Sequence, residues 1–288
     1  MEIEHKLLEN CIPVNENTIE RIWKTIKNVF PDYYKLSPVG SFMKKQENSL
    51  YNDLDIAIEY DWDKRDHIKD LLLSYFGKDN GLILFGHDNH YLNVFNIAVK
   101  LDDNKYFQVD FMFVKNLEFA KFAFHSPDFK KNESKYKGMY ASILLMSIIR
   151  NVPTGYRKHF EDGTLEEWKY YSLSQKDGLL EKHKTFIGVK GKRIKSPKLL
   201  EETFITYDVD EIMEIIFGTK DAINYVYTFE GLLDYICSNH FTVLNMSKKE
   251  FITRVKDDFL SDWQFDMKTS DELKGTFKIA FDLKIEKL

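Results

Sequence analysis

Apolar residues recur at Ile19, Ile22, Trp23, Ile26 and Phe30, a spacing that winds onto one face of a helix over residues 15–30. Asn17 is the expected cap and Pro31 the stop. The period then changes. A strand is predicted over 34–39, where Pro38 marks an edge or a strand end. The connection over 42–50 reads as a short helix with Lys44 and Lys45 exposed. From Asp53 to Glu59 the chain alternates strictly, with Leu54, Ile56 and Ile58 on one face and Asp53, Asp55 and Ala57 on the other. Helical spacing returns over 65–76, with Ile68, Leu71, Leu72 and Tyr75 inward and Gly77 as terminator. Strands are predicted over 82–85, 92–101 and 106–114, the last two joined by the turn Asp102-Asp103-Asn104-Lys105.

The second half reads differently. Residues 115–133 are a polar, aromatic connection holding a Ser126-Pro127-Asp128 turn. A helix is predicted from Ser134, or the residues near it, through Ile149, carrying Ile143, Leu144, Met146, Ile148 and Ile149. A hairpin over 157–174 turns at Asp162-Gly163. Beyond 199 the chain reads as helical, and Asp208/Glu211, Ser247/Glu250 and Thr269/Glu272 each have capping-box spacing. The expected fold class is α+β. A mixed-sheet domain over 1–133, with helices on one side, precedes a mainly helical domain over 134–288 that holds a β-hairpin and a basic loop at 182–198.

Composition narrows the class. The 288 residues exceed one average domain, and 43% apolar with 30% charged residues describes a globular protein. Cys11 and Cys237 make neither a disulfide framework nor a zinc spacing, so a reducing, cytoplasmic setting is expected. No stretch approaches the ~18 apolar residues of a membrane span, and no membrane partner is expected. The net charge of −5 exerts no global pull toward nucleic acid. The seven Lys or Arg between Lys182 and Lys198, with no acid among them, leave the remainder of the chain at −12. That run reads either as a contact for a polyanion such as RNA or as a solvated loop.

The chemistry sits on the alternating strand. Asp53 and Asp55 share one face, and two neighbouring carboxylates repel unless a cation neutralises them. A third carboxylate, Asp110, is flanked by Val109, Phe111, Met112 and Phe113, where a lone ionised group needs a partner or a metal. Three carboxylates on adjacent strands can hold two ions about 3.5–4 Å apart, the arrangement for in-line displacement at phosphorus.

Val39-Gly40-Ser41, then Asp53-Leu54-Asp55-Ile56, then Val109-Asp110-Phe111 resembles, in that order, the signature of the DNA polymerase β-like nucleotidyltransferase superfamily. The likeness covers roughly residues 18–115. A further, fainter likeness is to phage-encoded members of similar size. The resemblance implies transfer of a nucleoside monophosphate from a nucleoside triphosphate with two Mg²⁺ ions, for which Mn²⁺ can substitute. Asp53, Asp55 and Asp110 would be the metal ligands and catalytic carboxylates, Asp110 also helping to deprotonate the acceptor. Gly40 would let backbone approach the phosphates, and Ser41 would donate to them.

Basic residues must offset the triphosphate. Lys135 and Lys137, near the start of the helix after the sheet, are candidates for that role or a solvated helix start; Arg150 is a third. Lys44 and Lys45 read as surface charges. Tyr136 or Tyr140 could stack on a base or simply pack, and His87, His90 and His125 form no ligand spacing. For the acceptor, Lys190, Lys192, Arg193 and Lys195 are the candidates if it is an RNA 3′ end such as that of tRNA. A protein hydroxyl or a small molecule is the alternative acceptor. A non-catalytic nucleotide-binding module and a two-metal nuclease are the competing functions; the intact carboxylates weigh against the first and Gly40-Ser41 against the second.

Overall fold

The computed structural model describes residues 10–288 except 45–49, 78–80, 91, 103–104, 125–135, 137, 156, 160–164, 175, 188–197 and 244. The chain is α+β and divides into two compact units, Met1–Asn132 and Glu133–Leu288.

The first unit opens with helix α1 (Glu16–Lys27). Its cap is Asn15 rather than Asn17, because Asn15 is the residue still extended when the helix begins, and its side chain accepts from Thr18 N–H. Ile19, Ile22 and Ile26 are buried, as the spacing predicts. Strand β1 (Leu36–Val39) is an edge strand, which accommodates Pro38. A 3₁₀ turn over Gly40–Lys44 leads on, and residues 45–49 of the predicted connection lie outside the described residues. Strand β2 (Asp53–Glu59) and helix α2 (Arg65–Phe76) follow, the helix stopped by Gly77 at φ +83°. Ile68 and Leu72 face inward, but Tyr75 is 52% exposed, beyond the edge of the apolar stripe. Strands β3 (Ile83–Asn89), β4 (Val94–Asp102) and β5 (Lys105–Val114) complete the sheet, and α3 (Leu117–Ala123) follows.

The sheet order is β1-β2-β5-β4-β3. The β2–β5 pair is parallel and the other pairs are antiparallel. Leu54, Ile56 and Ile58 of β2, with Val109, Phe111 and Phe113 of β5, bury one face against α1 and α2. On the opposite face, Ala57 and Val114 pack under Leu117 and Ala120 of α3. Helices therefore flank both faces, and α3 covers only the half of its face where the residues are small and apolar. Asp53, Asp55 and Asp110 lie on the other half of that face.

The second unit departs from expectation. Helix α4 (Gly138–Asn151) is the helix expected here; Ser134 itself and the Ser126-Pro127-Asp128 turn lie outside the described residues. Strands β6 (Arg157–His159), β7 (Leu165–Ser174), β8 (Gly178–Ile187) and β9 (Lys198–Thr206) form an antiparallel sheet in that order. The predicted β-hairpin is thus part of a four-stranded sheet. Residues 199–206, expected as helix, are strand. Leu199-Leu200-Glu201-Glu202 favours helix locally, but Thr203, Ile205 and Thr206 are β-branched and β8 offers an open edge to pair with.

Helices α5 (Val209–Phe217), α6 (Phe229–Cys237), α7 (Lys248–Leu260), α8 (Trp263–Lys268) and α9 (Asp271–Ile285) close the unit. Asp208 and Ser247 cap as predicted, accepting from Glu211 N–H and Glu250 N–H. The third cap shifts by one residue: Ser270 caps α9, while Thr269 ends α8. Phe229, Phe259, Phe265 and Phe277 pack into one aromatic core.

Candidate metal centre

The strict alternation of β2 drives Leu54 and Ile56 into the core and turns Asp53 and Asp55 to the opposite face. The parallel register sets Asp110 directly beside Asp55, and Gln108 beside Asp53. One carboxylate oxygen of each aspartate lies within 4.8 Å of those of the other two, and all three side chains are partly buried. Three hard oxygen donors at this separation could hold a divalent cation.

The electrostatics agree. Burial pushes the Asp110 carboxyl up to about 6, against the pull of a hydrogen bond from Gln108 Nε2 to Oδ1 at 2.9 Å, and the Asp53 charge adds to the rise. A carboxylate that is costly to ionise in this place gains from a cation beside it. The hydrogen bond from Gln108 uses one lone pair of Oδ1, so both carboxylate oxygens keep acceptor capacity for a cation or a proton.

A proton and a cation compete for the Asp110 carboxylate, which makes affinity depend on pH. Mn²⁺ or Mg²⁺ affinity is expected to weaken about tenfold as the pH falls from 7 to 5, through the Asp110 titration near 6. Calorimetric titration across this range checks it; a pH-independent affinity would remove Asp110 from the ligand set.

Gly40 enters the site in a way the sequence did not signal. It begins the 3₁₀ turn after β1 with φ +70°, a conformation that disfavours any residue with a Cβ. A Cβ there would also collide with Asp55 Oδ2 and sit 3.1 Å from its Cγ. Gly40 therefore leaves the space that the Asp55 carboxylate occupies. Ser41, the next residue, is exposed on the same turn.

Three neighbours were missed. Gln108 was readable as the residue two before Asp110 on the same strand face. Asn96 pairs with Asp110 across β4–β5. Its Oδ1 is buried with no hydrogen-bond partner among the described residues and lies over Gly86, where a Cβ would collide with it. Cys11 bridges to Tyr106, and its thiol is pushed up by burial and then by the Asp110 charge, which places it near the carboxylates. No pattern in the sequence singles out Asn96 or Cys11.

The remaining candidates separate. Lys135, Lys137, Lys190, Lys192, Arg193 and Lys195, with Lys45 and His125, lie outside the described residues. The ends of the basic run do not form a loop: Lys182 and Lys184 belong to β8 and Lys198 to β9. Lys182 pairs with Glu202 at 2.9 Å. Arg150 pairs with Asp258 at 3.0 Å, so its charge is already matched. Tyr140 is 3% exposed among Phe265 and Phe277, and Tyr136 packs on Phe277 with centroids 4.6 Å apart, so both are packing residues. His90 accepts from Trp62 Nε1–H at 3.3 Å. A scan against protein-family models and a search of curated proteins gave no match to this chain.

Proposed function

We propose that this protein is a divalent-cation-dependent nucleotidyltransferase that moves a nucleoside monophosphate from a nucleoside triphosphate to an acceptor hydroxyl. The observation that supports this best is the placement of Asp55 beside Asp110 on parallel strands, with Asp53 on the same face and all three within 4.8 Å. Asp53, Asp55 and Asp110 would hold Mg²⁺, which when bound neutralises triphosphate charge and polarises the α-phosphoryl group. Gly40 leaves room for the Asp55 carboxylate, and exposed Ser41 offers a hydroxyl and a backbone N–H to the outer phosphates. Asp110, with acceptor capacity on both oxygens, is the carboxylate suited to help take the acceptor's proton as the acceptor oxygen bonds to the α-phosphorus and pyrophosphate leaves.

The first-ranked acceptor is the 3′ end of an RNA such as tRNA, a ranking supported by the cationic composition of 182–198. Incubation with each labelled nucleoside triphosphate, Mg²⁺ and separate RNA, protein and small-molecule fractions tests both the reaction and the acceptor. Label is expected in the RNA fraction with the wild type and in none with Asp53→Asn. Label in the protein or small-molecule fraction reassigns the acceptor, and its absence from all three removes the transferase reading.

A further inference from the structure

A cavity of about 780 Å³ lies wholly within the second unit, on residues that the carboxylate site does not use. Its floor is one face of β7, where Trp168, Tyr170 and Ser172 alternate toward it. Lys184 of β8 stands opposite Trp168 in the antiparallel register. The end of α4 and the first turns of α7 form the walls. Thr154 ties the chain after α4 to the sheet through a 2.7 Å hydrogen bond to Lys169 O. A volume in this range suits a ligand of a few tens of atoms, since such pockets run to roughly 300–1,000 Å³.

The charges lining this cavity are not equivalent. Arg150 is paired with Asp258 at 3.0 Å, Lys169 with Glu181 at 2.9 Å, and Arg254 with Glu250 at 2.8 Å. Lys184 has no carboxylate partner among the described residues; its Nζ lies over the Tyr170 ring, 5.1 Å from the centroid. Glu181 and Glu167 stand on the opposite face of the sheet, beside Lys169 and His183, out of reach of the Lys184 ammonium. The ammonium is directed to an aromatic face, with the Trp168 indole as its cross-strand neighbour. A cation over the Tyr170 ring and across the ladder from Trp168, inside a cavity, is a recognition set for a planar group joined to an anion. The rings offer stacking surface, Lys184 offers a point charge, and Ser172 and Asn245 offer hydrogen bonds at the margin.

We infer that the cavity walled by Trp168, Tyr170 and Lys184 binds a nucleoside phosphate, either free or as the end of a single strand. Lys184 takes the phosphate and the aromatic pair takes the base. This site is separate from the carboxylates and does not depend on transfer occurring there.

The test uses the full chain in EDTA, so that the outcome is independent of the carboxylate site. Tryptophan fluorescence is followed while AMP or a single-stranded oligoadenylate is added. Both are expected to quench, and the quench is expected to vanish in Trp168→Phe, which retains Trp23, Trp62 and Trp263. Lys184→Gln is expected to weaken binding at least about tenfold, the scale of a lost charged hydrogen bond, while Lys184→Arg retains it. Adenosine and inorganic phosphate, each with half of the recognised chemistry, are expected to bind at least about tenfold more weakly than AMP. An oligoadenylate that binds more tightly than AMP assigns the strand end; equal affinities assign the free nucleotide. No quench at millimolar AMP or oligoadenylate, an undiminished quench in Trp168→Phe, or unchanged affinity in Lys184→Gln overturns the inference.

Discussion

Asp110→Asn is expected to lower nucleotidyl transfer by about a thousandfold and, in EDTA at neutral pH, to raise the melting temperature. The two effects have one cause. Burial lifts the Asp110 carboxyl to about 6, so the folded protein holds this proton more tightly than the unfolded chain does. Ionisation of Asp110 therefore opposes folding. The penalty is absent below about pH 4, where both states are protonated, grows as the pH rises through 6, and is complete above it. Its size is about 2–3 kcal/mol, from the distance between the ordinary aspartate value and the raised one. Asparagine keeps the shape and can still accept from Gln108 Nε2 while carrying no charge. The variant should melt above the wild type at pH 7 and level with it at pH 4, and added Mg²⁺ should stabilise the wild type alone. Thermal melts across pH, beside a single-turnover transfer assay, check both halves. Transfer within about tenfold of the wild type would remove Asp110 from the chemistry.

Gly40→Ala should be nearly as damaging to activity for a different reason. A methyl group at this position meets Asp55 Oδ2, so the carboxylate must rotate out of the triad. The positive φ of +70° adds a backbone penalty of about 1–2 kcal/mol. Mg²⁺ affinity and transfer are each expected to fall at least about a hundredfold, with stability changed only by that backbone penalty. Calorimetry with Mg²⁺, compared with a denaturant melt, separates the two. Metal affinity equal to that of the wild type would show that Asp55 has room to stay.

The site was legible where one strand carries its own pattern. Asp53 and Asp55 declare a shared face by alternation alone, and Asp110 declares its burial by its apolar flanks. Asn96 was not legible, and the reason is a single residue of register. Counting back from the Asp102↔Lys105 pair puts Ile97 opposite Asp110, but a bulge between Lys100 and Asp102 shifts the ladder and brings Asn96 there instead. Local spacing cannot signal a bulge of this kind. Strand β9 was misread for a related reason: its first residues favour helix, and only pairing with β8, distant in sequence until the intervening segment is crossed, makes them strand. Helix α2, whose stripe and glycine terminator lie within a dozen residues, has the bounds its pattern predicts, although Tyr75 at its end is exposed.

The parallel pairing of β2 with β5 also dictates an order of assembly. Strands β4 and β5 are separated by only two residues of chain, so their ladder is local, whereas Asp55 must find Asp110 across 55 positions of chain. That non-local closure also brings like charges together, so it is opposed by both loop entropy and Coulomb repulsion. The carboxylate triad thus does not exist in any partly folded form that lacks β2. A divalent cation held by the triad would recognise only chains in which β2 has paired with β5, and its binding would report that closure.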